Sequence, residues 1–166
     1  MTRILRSSKP PRPPSPAERW YLLGADLVRV GRYQEALKPL EQALAYSVEE
    51  PDAPFVRTLR SHYGLVITLA RGEVERGQRL CEQAVMSGDP EPQLLVNLAR
   101  IYMRLNRRDL VAQVVRTALA IDPHDQEALA IEREIGARQS PVFSFLRRGN
   151  PLNRVAGKLR RRLAQS

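Results

Sequence analysis

The stretch WYLLGADLVRVGRYQEALKPLEQALAY, Trp20–Tyr46, contains two amphipathic runs joined at a glycine. Trp20, Leu23, Gly24 and Leu27 recur at helical spacing, and Gly31 breaks the pattern. Ala36, Leu37, Leu40, Ala43 and Leu44 then mark one face of a second run, about Tyr33 to Tyr46. A start signal stands just upstream. Ser15 can cap, and Pro16 suits a first turn, where its missing N–H has no intrahelical partner to lose. Glu18, three residues after Ser15, completes a capping box. The stretch predicts a helix, a tight turn and a second helix.

Working outward, the same unit recurs twice. Ala43 aligns with Ala84 and Ala118, and Leu40 with Cys81 and Val115. The turn residues Gly31, Gly72 and Asn106 fall in register, and asparagine is the best non-glycine substitute where a positive backbone angle is needed. The first spacing is 41 residues and the second is 34. The extra seven residues are expected around SVEEPDAPF, with Asp52 and Pro54 giving the first helix of the second unit an early start, about two turns longer. After ALAIDP, the pair Asp122-Pro123 is expected to open a further helix, about 124–137, on which Ala128, Leu129, Ile131 and Ile135 form the apolar face of a capping element.

A period near 34 carrying Trp20, Leu23-Gly24, Leu27, Gly31, Tyr33, Ala36, Leu40 and Ala43 resembles the tetratricopeptide repeat. The third unit supplies Leu95, Leu98-Ala99, Tyr102, Asn106, Ala118 and Pro123, and the second keeps Gly64, Ile67, Gly72, Val74 and Ala84. The resemblance implies an all-α fold, a right-handed helix–turn–helix solenoid of three repeats at about 17–46, 54–87 and 92–121, with a cap at 123–137. The physical sense is that small residues let helices approach and large ones fill the gaps between pairs. One pair cannot bury its own face, so several stack.

Charge divides the chain further. Its net +9 is unevenly spread: residues 17–134 carry 15 basic and 18 acidic side chains, while both ends are purely basic. Residues 1–14 read as a disordered, proline-rich basic leader. Residues 139–166 form a basic tail. Within it Leu152, Val155, Ala156, Leu159 and Leu163 make an apolar stripe on a helix expected over 151–163, and Arg147, Arg148, Arg154, Lys158, Arg160, Arg161 and Arg162 supply the charge. No apolar run has the length of a membrane span or a secretory signal, so a cytoplasmic protein is expected, with attachment to a membrane surface through the tail as the alternative.

Chemistry-bearing patterns are sparse, and no enzyme, cofactor or metal site is expected. His62 and His124 lie in different repeats, and His62 reads as a groove or surface residue. Cys81 falls at a core position, which predicts an inert thiol. Gly157-Lys158 lacks the spacing and the hydroxyl of a phosphate loop. What remains is surface. The resemblance implies a concave groove lined by the first helix of each pair, which holds an extended peptide or a helix of another protein. Carried across by position, its lining is Tyr21, Val28 and Arg29, then Ser61, Leu65 and Leu69, then Val96, Asn97, Arg100, Met103 and Arg104, with Glu18, Ala25, Thr58, Thr68 and Gln93 beside them. Tyr21 and Ala25 stand where one subset of the family carries a lysine–asparagine clamp for a C-terminal carboxylate, which disfavours that ligand. The expected function is a protein-interaction scaffold or chaperone-like adaptor. The alternative is binding of anionic lipid, or less plausibly nucleic acid, through the tail.

Overall fold

The computed structural model describes residues 13–49 and 54–136. The leader, and the tail with its expected helix at 151–163, lie outside these residues. Seven α-helices follow one another among the described residues, and no strand occurs there: α1 Pro16–Arg29, α2 Tyr33–Tyr46, α3 Pro54–Val66, α4 Val74–Met86, α5 Pro92–Arg104, α6 Arg108–Ile121 and α7 Gln126–Ile135. α1 packs on α2, α3 on α4 and α5 on α6. The first helices also pack in sequence, α1 on α3 and α3 on α5, and α7 closes on α5 and α6. This is the all-α solenoid of three helix pairs and a cap that the repeat pattern predicts.

Local signals explain most boundaries. The capping box at Ser15 forms: Ser15 N–H donates to Glu18 Oε2 at 2.7 Å, and Glu18 N–H to Ser15 Oγ at 3.3 Å. Gly31, Gly72 and Asn106 all adopt positive φ, at 78°, 72° and 54°, so the three turns share one backbone solution. α2 runs through Pro39, whose ring is buried although it forfeits a helix hydrogen bond.

Two boundaries differ from expectation. α7 starts at Gln126 and not at 124, because Asp122 is spent on the turn. Its Oδ1 accepts from His124 N–H at 2.9 Å, and Asp125 is the cap, accepting from Ala128 N–H at 2.7 Å. The seven extra residues of the second unit also divide otherwise. α3 begins ten residues before Gly64, against eight before Gly24 for α1 and seven before Ala99 for α5, so its start gains less than one turn. The linker between α2 and α3, which opens with a 3₁₀ turn at Ser47–Glu49, is two residues longer than that between α4 and α5, and α2 ends one residue later after its turn than α4 does. One extra residue lies at the other end. Seven positions separate Gly24 from Gly31 and Ala99 from Asn106, but eight separate Gly64 from Gly72. The chain absorbs that residue by widening into a π-helical turn over Ile67–Arg71, closed by Gly72 N–H to the Ile67 carbonyl. The carbonyl of Ala70 accepts from Gln34 Nε2 of α2 at 2.7 Å, and Arg71 pairs with Glu41 of α2 at 2.7 Å.

A continuous apolar core runs through all three pairs, from Val28 and Leu40 through Leu59, Ile67 and Leu98 to Val115 and Ile131. Its tightest crossing lies inside the second pair. A Cβ on Gly64 would stand 2.8 Å from the Gly77 carbonyl oxygen, and one on Gly77 would stand 2.3 Å from that of Gly64 and 1.9 Å from Thr68 Oγ1. The two glycines let α3 and α4 touch backbone to backbone.

Candidate functional site

The first helices reach forward to one another through specific side chains. Tyr21 of α1 stacks on Phe55 of α3, with ring centroids 5.6 Å apart, and leans on His62 at 5.8 Å. Asn97 of α5 donates from Nδ2 to Ser61 Oγ of α3 at 3.0 Å and accepts from Gln93 at 3.2 Å. Arg100 of α5 pairs with Glu127 of α7 at 3.0 Å. Tyr21, Ser61 and Arg100 are thus spent on the next first helix along the stack.

That forward reach corrects the expected lining. Ser61, Leu65, Val28, Val96 and Asn97 are buried among the stacked helices and present no surface. Tyr21, Leu69, Arg100 and Met103 are half-buried, and Arg29 and Arg104 are exposed. Of the neighbours, Thr68 is buried by the close approach of α4, while Glu18, Ala25, Thr58 and Gln93 are half-buried. His62 is 7% exposed and not a surface residue, and Phe55, outside the expected lining, is half-buried against Tyr21. Phe55, Thr58 and His62 stand at i, i+3 and i+7, so helical spacing alone places them on one face.

Burial shifts three titratable groups here from their ordinary values. Burial pushes the His62 imidazole down to about 4, helped by the nearby Arg100 charge and opposed by its bond to the Thr58 carbonyl at 3.1 Å. His62 is therefore neutral at physiological pH. Burial pushes the Cys81 thiol up to about 12, and its Sγ–H donates to the Ser61 carbonyl at 3.2 Å, which leaves little thiolate for nucleophilic chemistry. Burial, then the Glu82 carboxylate, raises the Tyr102 phenol, which donates to Glu82 at 3.0 Å. Among the described residues no cluster of histidine, cysteine, aspartate or glutamate has the arrangement to hold a metal, and no helix is long and apolar enough to cross a membrane.

Comparison with known proteins agrees with this architecture. The family model of the tetratricopeptide repeat matches residues 94–129, which span α5, α6 and the start of α7. The chain is similar to interferon-induced protein with tetratricopeptide repeats 2 of Cricetulus griseus, 26% identical over 117 residues. That alignment covers 70% of this chain, and the chain spans about a quarter (23%) of the relative's length. No solved structure matches.

Proposed function

We infer that this chain, a stack of helix pairs with a tetratricopeptide-repeat match over residues 94–129, is a protein-interaction scaffold that holds a segment of a partner protein against its first helices. The observation that carries the reading is the aromatic cluster of Tyr21 and Phe55, both half-buried, over His62 where α1 meets α3. Aromatic groups half-buried on a rigid frame lose little conformational freedom when covered, which makes them efficient anchors for an apolar side chain. Arg104, exposed at the end of α5, adds positive charge on the same series of helices and favours a partner segment with an acidic residue beside its anchor. Arg100 contributes less, since Glu127 already neutralises it.

The test is capture from native extract with the full chain as bait. Proteins retained by the parent should be lost with Phe55→Ala, and weakened with Arg104→Glu, while the circular dichroism spectrum stays helical. Arg104 is exposed, so its reversal should change stability by no more than about 0.5 kcal/mol. Retention of the same partners by both variants would place binding on another surface.

A further inference from the structure

We propose that the outward face of α1 is a self-association surface, through which two copies of this chain pair antiparallel about a twofold axis passing between Leu22 and Leu23. Leu22, Leu23 and Val30 are 54%, 48% and 58% exposed. The positions of Leu22 and Leu23 are closed in the other repeats: His62 and Tyr63 on α3 are each 7% exposed, and Asn97 and Leu98 on α5 are 0% and 1%, whereas Leu105, at the position of Val30, is 37% exposed. The difference has a plain cause. α3 is covered on that side by α1, and α5 by α3, while no described helix covers α1. The exposed face of α1 continues a stacking interface already used twice within the molecule.

The pattern of charge identifies the occupant. Arg19, Leu23, Asp26 and Val30 are spaced by four, three and four residues, so they share one face of the helix, and all four are exposed. Laid antiparallel on itself, this face sets Leu22 against the partner subunit's Leu23 and Arg19 against the partner subunit's Asp26. Each charge stands three residues outside the leucine pair, so one operation satisfies both contacts, as a self-complementary twofold interface requires. The intrahelical pair of Asp26 with Arg29, at 3.3 Å between exposed groups, is too weak to hold Asp26 away from a second guanidinium. The far end of the stack offers no counterpart: Gln126, Ala130, Arg133 and Glu134 are exposed on α7, and no large apolar residue is. Head-to-head pairing is therefore favoured over head-to-tail growth into a filament.

The mass of the full chain in solution, by light scattering or sedimentation at micromolar concentration, tests this. A dimer is expected, and Leu23→Asp should yield a monomer with an unchanged helical spectrum. Arg19→Asp and Asp26→Arg should each weaken the dimer by about tenfold or more through like-charge contacts, and combining them should restore it. These exposed positions keep the test valid if Leu23→Asp misfolds. A monomeric parent overturns the proposal. So does a dimer that survives Leu23→Asp, or one that the combined charge exchange fails to rescue. A monomer whose Tm falls with Leu23→Asp would show that a segment of the same chain covers the face.

Discussion

Single residues decide the close contacts of this fold, and Gly77 is the most demanding. It takes the place that Ala36 holds in the first pair, yet even a methyl group there would collide with Thr68 Oγ1 and with backbone. Gly77→Ala should therefore cost at least about 1–3 kcal/mol, the usual range for overpacking, read as a fall in urea midpoint. Thr68→Ala should recover only part of it, because the Gly64 carbonyl remains in the way. His62 makes a second prediction, in pH. Its folded pKa, about 4, lies below the unfolded value of 6.5, so only the unfolded chain gains a proton as pH falls between the two. Stability contributed by neutral His62 is intact above pH 6.5 and is lost progressively toward pH 4, by up to about 3 kcal/mol. Urea titrations at pH 7 and pH 4.5 should show a larger loss for the parent than for His62→Gln; equal losses would mean that the imidazole titrates normally. The sequence disclosed the small-residue frame at Gly24, Ala43 and Ala118 because periodicity repeats it. It did not disclose Gly77, which pattern reading passed over, nor the burial of His62. That burial depends on a tyrosine 41 positions earlier in the chain.

At the scale of elements, the helix pairs and their turns were legible, since caps, glycines and apolar spacing are local signals. The rotation of each first helix was not. Placing Ser61, Leu65, Val96 and Asn97 on an open groove required knowing how far the stack closes around α3 and α5, and only packing sets that. The π turn at Ile67–Arg71 was likewise hidden, although the eight-residue gap from Gly64 to Gly72 signals it once the repeats are aligned. It yields a clear expectation. Each residue of an α-helix turns the chain by about 100°, so removing one ordinarily swings everything downstream off its face. Deleting Ala70 should instead restore the seven-residue spacing of the other units and leave a folded protein with a Tm within several degrees of the parent. Deleting Ile101 from α5 should prevent cooperative folding, because Tyr102 and Asn106 would leave register. Equal damage from the two deletions in thermal melts would show that the π turn is not the site of the insertion.

For the whole molecule, the stack behaves as one core with two unlike ends, an apolar face on α1 and a polar one on α7. Composition had already separated a near-neutral middle from basic ends, but the exposed leucines of α1 could be recognised only beside their buried equivalents. The junction at Cys81 has a practical consequence. The chain has a single thiol, and it is sealed where α3, α4 and α5 meet, within reach of Ser61. A thiol-reactive dye can therefore mark the protein only after α4 parts from the helices packed on it, α3 first. The rate of dye uptake in native buffer becomes a clock for that opening, without any engineered reporter. If a bound partner clamps α1 to α3, the clock should slow. If the stack opens first at its ends, uptake should be insensitive to fraying there and record only the rarer separation at the centre.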